Sequence, residues 1–413
     1  MKVISHDPYA ALRIADFRLF IFSRLFLTLS IQMQAVVVGW QVYDLTKDPL
    51  GLGMIGLAEF LPSISVSLIA GHVADIVPRK RVIVSCMCLL LFCTSSLFYF
   101  TTDLSTFLAR YSALPIYIVI FISGFARGFI GPSLFSFMPQ LISREMYANA
   151  ITWNSSTWQA AAVGGPALGG LIYGFYGISV SYFTDLVLLL IAITLMSCIG
   201  SRPVPPSDEQ ASSPLERIKA GIRFVFTNQL ILSAISLDLF AVLFGGAVAL
   251  LPVFAKDILN EGPKALGFLR AAPALGAVTM AVLMAYKPIK RKAGLKMLAA
   301  VAGFGLSMIV FAVSKVFWLS FAALLMSGIF DSISVIIRST LVHTLTPESM
   351  KGRVSAVNNI FIGSSNELGA FESGVTARLM GVVPSVIFGG CMTLLVVLIT
   401  RIKAKKLESL DLD

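Results

Sequence analysis

The chain has 413 residues, of which 57% are hydrophobic and only 13% are charged, and its mean hydropathy is +0.86. An ordinary globular domain carries about 25% charged residues, so this composition leaves too little polar surface for a soluble protein and indicates an integral membrane protein. The formal net charge of +10 does not indicate nucleic-acid binding, because the basic residues lie in short gaps between apolar runs.

Long apolar runs recur along the whole chain. A helix needs about 20 apolar residues to cross the hydrocarbon core of a bilayer. Runs of this kind lie at 18–42, 50–74, 82–101, 115–140, 147–174, 178–200, 229–255, 264–286, 294–314, 316–343, 353–378 and 382–400. They show no alternation of apolar and polar residues, so they predict helices rather than barrel strands. The sequence therefore predicts an all-α membrane protein with twelve transmembrane helices, here called spans 1–12.

The basic residues orient these spans. If both termini are cytoplasmic, 22 of the 32 Lys and Arg residues fall in inside segments, six fall in outer loops and four lie within spans. Cytoplasmic loops of membrane proteins carry an excess of Lys and Arg. The asymmetry therefore predicts that both termini are cytoplasmic.

One connection, residues 201–228, is long and polar. It begins with "SRPVPPSDEQASSP" and continues as "LERIKAGIRFVF", in which apolar residues recur at helical spacing. We predict an amphipathic helix on the cytoplasmic membrane surface. The linker separates two bundles of six spans, 1–200 and 229–413. A shift of 204 residues places span 4 on span 10, with Arg127 on Asp331, which is typical of internal duplication.

The loop between spans 2 and 3 contains an acid and a basic triplet. In "GHVADIVPRKR", residues 71–81, Gly71, Asp75, Arg79, Lys80 and Arg81 match the pattern G-x-x-x-D-x-x-x-R-[RK]-[RK]. This resembles the loop motif of the major facilitator superfamily. Gly71 permits close helix approach and Asp75 can pair with bases or cap a helix, which suits a conformational latch. A simple positive-inside anchor explains the bases but not the Gly–Asp–Arg spacing.

A second motif lies in span 5. The segment "GGPALGG", residues 164–170, contains Gly165, Pro166, Gly169 and Gly170 in the pattern G-P-x-x-G-G. It resembles the antiporter signature of drug exporters in the same superfamily. The glycines allow a tight helix contact, and Pro166 removes a backbone donor and bends the helix. A plain glycine packing seam is the alternative.

Two further segments narrow the resemblance. "AGIRFVFTNQLI" before span 7 and "TLTPESMKGRVSAVNN" between spans 10 and 11 are similar to the branch that holds enterobactin exporters and macrolide-efflux proteins. The similarity extends over nearly the whole chain. It implies the major facilitator fold, with two pseudo-symmetric six-helix bundles, and export driven by protons.

Charges within the spans are the candidate functional residues, because each costs about 2.5–3.5 kcal/mol at the bilayer centre. Four stand out in spans 1, 4, 7 and 10, which line the central cavity in the resembled fold: Arg24, Arg127, Asp238 and Asp331. We predict that they form a substrate cavity, that Asp238 and Asp331 couple transport to protons, and that Glu367 is a third coupling candidate. Structural ion pairs are the alternative. Arg338 is expected to pair at the cytoplasmic edge of span 10.

The sequence favours a monomeric transporter of the bacterial inner membrane that exports a small hydrophobic or amphipathic molecule, of drug or siderophore type, by proton antiport. A proton-coupled importer is the alternative within transport, and a membrane-embedded receptor or enzyme is the alternative outside it. The five cysteines lie within spans without metal-ligand spacing, so we expect no metal and no cofactor. The "GLGMIG" segment at 51–56 follows no strand, so nucleotide binding is not expected. Substrate, protons and membrane lipid are the expected partners.

Overall fold

The computed structural model describes residues 7–200, 202, 214–287, 289, 291–347, 350–404 and 407. Within these residues, twelve helices are longer than ten residues. They are α1 (Ala15–Thr46), α2 (Pro49–Ile76), α3 (Arg79–Tyr99), α4 (Leu114–Phe137), α5 (Tyr147–Cys198), α6 (Pro214–Thr227), α7 (Gln229–Gly245), α8 (Pro263–Tyr286), α9 (Ala293–Val313), α10 (Phe317–Leu345), α11 (Lys351–Met380) and α12 (Val382–Lys403). Shorter helical turns lie at Ala11–Arg13, Phe107–Tyr111, Met138–Gln140, Arg144–Met146, Ala247–Leu250, Leu251–Val253 and Phe254–Ile258.

Every predicted span lies on a helix. Spans 1–4 and 7–12 correspond to the helices of the same number, α5 covers spans 5 and 6, and α6 belongs to the linker. The kink in α5 lies at Gly177, whose φ of 84° and ψ of 179° suit glycine alone. By length and composition, ten of the described segments could cross a membrane, with α5 counted once and the more polar α11 not counted. The predicted all-α membrane fold is confirmed.

The chain divides into two compact units. The first consists of Met1–Val37 and Leu61–Ala211, and the second of Val38–Phe60 and Ser212–Asp413. The end of α1 and the first part of α2 therefore belong to the second unit, although the sequence places them in the first bundle. The domain limits at 200 and 229 stay a prediction.

Each unit has an apolar core of its own. In the first unit Phe20, Met87 and Phe137 are fully buried, and the rings of Phe20 and Phe137 pack edge to face with centroids 6.0 Å apart. In the second unit Ile235 and Met297 are fully buried together. Because lipid is as apolar as these side chains, close packing rather than exclusion of water holds the helices at fixed rotations. Polar side chains on the helices therefore meet at defined places.

The linker helix α6 packs on protein. Gly221 approaches α11 so closely that a Cβ there would lie 2.7 Å from the carbonyl oxygen of Arg353. Val225 is fully buried in the core of the second unit, whereas Ile222 and Phe226 are exposed. One side of the helix therefore packs on α11. The sequence analysis predicted a helix on the membrane surface and did not predict this contact.

Candidate functional site

A buried ion pair joins α7 and α10 in the second unit. The guanidinium of Arg338 contacts the carboxylate of Asp238, and the two side chains are 4% and 7% exposed. Loss of one partner would leave a buried charge without compensation, at a cost of about 3–5 kcal/mol. The sequence analysis expected Arg338 to pair at the cytoplasmic edge of span 10. Its partner, Asp238, lies in the middle of α7, and the depth of the pair in the membrane stays a prediction.

Asp331 is the second acid of this cluster. It precedes Arg338 by seven residues on α10, which is two turns along one face of the helix. With Asp238 it lines a cavity of about 10 Å³, room for roughly one water molecule, next to Phe304 and Ser334. Asp238 and Arg338 are close enough to act on it electrostatically. Among the described residues, no hydrogen bond or ion pair to its side chain is found.

The first unit has a buried acid of its own, Asp185 in the second half of α5. It is 1% exposed. Ser30 and Gln34 of α1 donate hydrogen bonds to its carboxylate, the second at 3.0 Å, and Thr94 of α3 donates at 3.4 Å. Arg127 of α4 is close enough to interact with it electrostatically. The predicted cavity residue Arg127 therefore has an acidic neighbour within its own unit.

The two clusters occupy related positions in the repeat. The 204-residue shift that places Arg127 on Asp331 also places Gln34 on Asp238. The first unit thus has a cation and an amide where the second has two carboxylates. This second coincidence is the signal by which the sequence alone links Asp238 with Asp331, and we missed it in the sequence analysis.

The remaining predicted site residues, Arg24 and Glu367, lie at helix–helix contacts. The guanidinium of Arg24 donates to the side-chain oxygen of Asn154 on α5. Glu367 lies where α11 meets α2, since a Cβ on Gly56 would be 3.4 Å from its carboxylate oxygen and 3.0 Å from its carbonyl oxygen. Glu367 is half-buried there.

The bases of the segment 71–81, called the 71–81 loop from its sequence, lie in the first turn of α3 and cap other helices of the first unit. Arg79 donates to the carbonyl oxygen of Ser136 at 2.7 Å, near the end of α4, and Lys80 donates to that of Ser197 at 2.8 Å, near the end of α5. Cations at helix C-termini interact favourably with the helix dipole and with unpaired carbonyls. Arg81 is exposed. The surroundings of Gly71 and the side chain of Asp75 lie outside the described part of the structure.

The glycine motif of α5 packs against α1. A Cβ on Gly165 would lie 2.6 Å from Cβ of Gln32, and a Cβ on Gly169 would lie 2.9 Å from the carbonyl oxygen of Met33. Pro166 and Gly170 are buried in the same stretch. The two helices are therefore in backbone contact at this motif.

A further group of charges, which the sequence analysis did not predict, lies at the end of α1 in the second unit. Lys256 pairs with Asp44, and Tyr43 donates a hydrogen bond to Asp257. Lys256 and Asp257 come from the π-helical turn Phe254–Ile258. Such turns are rare and recur at functional sites. No motif marks these residues, because their partners lie more than 200 positions apart in the sequence.

Apolar helices long enough to cross a membrane, with charges buried among them and glycine-lined helix contacts, are the features of a membrane transporter. The family model described as "Transmembrane secretion effector" matches residues 6–413. The chain belongs to this family.

Named relatives and solved structures agree with this assignment. The enterobactin exporters EntS of Shigella dysenteriae serotype 1 (strain Sd197) and of Escherichia coli O1:K1 / APEC are each 27% identical over 375 residues, which cover 89% of this chain and 87% of the exporter. The POT family transporter PepTSo is similar in fold, with a TM-score of 0.71 and 13% identity over 97% of this chain and 99% of that one. A bacterial homologue of the iron transporter ferroportin has a TM-score of 0.66 and 18% identity, over 97% of this chain and 100% of that one.

Proposed function

We propose that the protein exports a small hydrophobic or amphipathic molecule, of siderophore or drug type, by proton antiport with alternating access. Membership of the secretion-effector family and the similarity to enterobactin exporters support export. The distribution of Lys and Arg supports cytoplasmic termini in a bacterial inner membrane. The transporter acts as a monomer in this proposal.

The observation that carries the coupling is the charge balance of Asp238, Asp331 and Arg338. Two carboxylates lie near one guanidinium, which pairs with Asp238, so the fully ionised cluster holds one excess negative charge. A buried charge without compensation is costly, and binding of one proton removes it. The cavity beside Asp331 has room for a water molecule that hands the proton on.

In the proposed cycle, Asp331 binds a proton on the outer side and releases it to the cytoplasm, while substrate moves outward. Asp238 is the nearest rival for this role, since two interacting acids titrate as a pair. Glu367 is the third candidate. Arg24 and Arg127 bind anionic groups of the substrate, for which charge-assisted hydrogen bonds suit arginine.

The 71–81 loop acts as a conformational latch in the same cycle. Arg79 and Lys80 hold the ends of α4 and α5 within the first unit. Asp75 is proposed to break and remake its contacts as the transporter changes state. Gly165, Pro166, Gly169 and Gly170 keep α5 against α1 during this change, which suits the antiporter-like motif.

Transport in proteoliposomes with an imposed pH gradient tests the proposal. Vesicles are loaded with enterobactin or with a hydrophobic fluorescent dye, and substrate and internal pH are followed together. We expect substrate to move against the direction of the protons in wild-type vesicles and not in vesicles that carry Asp331→Asn. Movement of substrate with the protons would indicate an importer and contradict the proposal. Movement that is independent of the gradient would contradict proton coupling.

A further inference from the structure

The linker helix α6 has a buried face and an exposed face. Gly221 and Val225 lie on the buried face, against α11 and the core of the second unit. The exposed face carries two cations, Lys219 and Arg223, among apolar side chains. We propose that this exposed face binds the headgroups of anionic phospholipids at the cytoplasmic surface of the membrane. Such binding is independent of the molecule that the protein transports.

Helical spacing brings the exposed side chains together. Counted from Lys219, the residues Ile222, Arg223 and Phe226 lie at positions i+3, i+4 and i+7, which share one side of a helix. Ile222 is 39% exposed and Phe226 is 58% exposed. We call these four residues the basic stripe. Cations beside large apolar side chains suit the interface of a bilayer, where the apolar groups enter the acyl boundary and the cations meet phosphate.

The chain places the basic stripe next to a membrane span. Helix α6 ends at Thr227 and α7 begins at Gln229, with the side chain of Asn228 capping α7 between them. The segment that begins at Gln229 is long and apolar enough to cross a membrane. The last turn of α6, which carries Phe226, therefore lies close to the surface at which this span begins. The distribution of Lys and Arg predicts that this surface is the cytoplasmic one.

The charge of the stripe favours an anionic lipid over a neutral one. Residues 219–227, whose side chains the structure describes, include two cations and no acid. The end of α12 packs into the same core through Ala404 and Leu407. It also exposes a cation beside an apolar side chain, Lys403 beside Ile402. Each Lys or Arg near an anionic surface strengthens binding, whereas a neutral headgroup would gain only the apolar contact.

The buried face of α6 connects the bound lipid to another helix of the second unit. A Cβ on Gly221 would lie 2.7 Å from the carbonyl oxygen of Arg353, so α6 is in backbone contact with the first turn of α11. The same helix α11 carries Glu367. A lipid bound to the basic stripe holds α6 at the membrane surface, and through this contact it also holds the beginning of α11.

A fluorophore on the stripe tests the proposal at the site itself. Phe226→Trp places an indole on the exposed face, and the signal of the four native tryptophans is subtracted with the unmodified protein. The whole chain is reconstituted in phosphatidylcholine vesicles in which about one-third of the lipid is brominated phosphatidylglycerol or brominated phosphatidylcholine. Bromine quenches the tryptophans that it contacts. The ratio of the two quenching efficiencies therefore measures the preference of the stripe for the anionic headgroup.

We expect phosphatidylglycerol to be preferred at least about fivefold, since each base near an anionic surface contributes a factor of about five. Adding Lys219→Gln/Arg223→Gln to the reporter protein should lower the preference below about twofold, while brominated phosphatidylcholine still quenches because the apolar contact remains. High salt should lower the preference of the unchanged stripe as well. The matched control is Arg291→Gln/Lys296→Gln, which removes an exposed Arg and an exposed Lys elsewhere in the second unit and should keep the preference.

Three results would overturn the proposal. Equal quenching by the two brominated lipids in the Phe226→Trp protein would show that the stripe does not select an anionic headgroup. An equal loss of preference in the control pair would show that net charge alone accounts for it. Quenching of the added indole by neither lipid would show that the stripe does not touch the bilayer. None of these results bears on export, which the pH-gradient assay measures separately.

Discussion

The two units carry buried charges at related positions, but the balance of charge differs. In the first unit Asp185 faces one cation, Arg127, and accepts hydrogen bonds from neutral side chains of α1 and α3. In the second unit Arg338 pairs with Asp238 and is, among the described residues, the cation that acts on Asp331 electrostatically. With its acid ionised the first cluster is neutral, whereas the second, with both acids ionised, becomes neutral only when it binds a proton. Of these two clusters, only the second therefore has one carboxylate more than it has cations.

This difference arises at one repeat-related position, where α1 has Gln34 and α7 has Asp238. Gln34 donates to Asp185 and to Thr94, the latter at 2.8 Å, and so completes a neutral network. Asp238 instead accepts from Arg338. An amide satisfies an acid without adding charge, whereas a carboxylate consumes the cation that would otherwise compensate Asp331. The comparison predicts that replacing the acids of the second cluster abolishes proton coupling. Replacing the acid of the first cluster should instead lower the stability of the protein.

The largest effect is expected at Asp331. Asp331→Asn removes the acid that has no described partner, so gradient-driven export should fall to the level of empty vesicles while substrate binding stays measurable. Binding is followed by quenching of intrinsic fluorescence, and export by the proteoliposome assay that follows substrate and internal pH together. Asp238→Asn should weaken the pH dependence, and Arg127→Ala should impair both binding and export.

The Asp238→Asn/Asp331→Asn double variant decides whether the coupling site lies in this cluster at all. If driven export with its ordinary pH dependence survives both changes, the coupling acid lies elsewhere. Glu367, where α11 meets α2, would then be the first residue to replace.

The sequence predicted the spans because apolar length is a local property, and each predicted run lies on a helix. It also identified Asp238 and Asp331 as candidate site residues, since a charge in an apolar run is visible without a structure. It missed the pairing of Asp238 with Arg338, because the two residues are 100 positions apart and no local pattern links them. It likewise left Asp185 without a role, since its donors come from α1 and α3.

A second, smaller effect is expected at Asp185. Asp185→Leu removes the acceptor that Ser30, Gln34 and Thr94 share, so we expect a loss of about 1–3 kcal/mol in stability. Thermal unfolding in detergent measures this loss. The fraction of the variant that stays folded should keep gradient-driven export with an unchanged pH profile, because Asp331 is intact. A shifted pH profile in Asp185→Leu or Asp185→Asn would show that the first unit also takes part in coupling.

The helix contact within the first unit should tolerate less disruption than an open helix face. Gly169→Leu forces a side chain into the space where a Cβ would already lie 2.9 Å from the Met33 backbone, so we expect a cost of about 1–3 kcal/mol and lower abundance in the membrane. Gly131→Leu on α4 is the control, because nothing lies within 4 Å of a Cβ there. Equal abundance of the two variants would mean that α1 and α5 separate easily at this motif.

The smallest effect is expected at the helix ends held by the 71–81 loop. Lys80→Met removes a cation that donates to carbonyl oxygens at the end of α5, and such contacts contribute about 0.3–1 kcal/mol each. Arg81→Met removes an exposed cation next to it and serves as the control for lost positive charge. We expect Lys80→Met to unfold in detergent at a temperature a few degrees below that of Arg81→Met, and the difference to shrink little in high salt, since a direct bond to a carbonyl is screened less than a surface charge. If both variants unfold at the same temperature, the bases of this loop act only through the charge they place beside the membrane, and the capping contacts add nothing to the stability of the first unit.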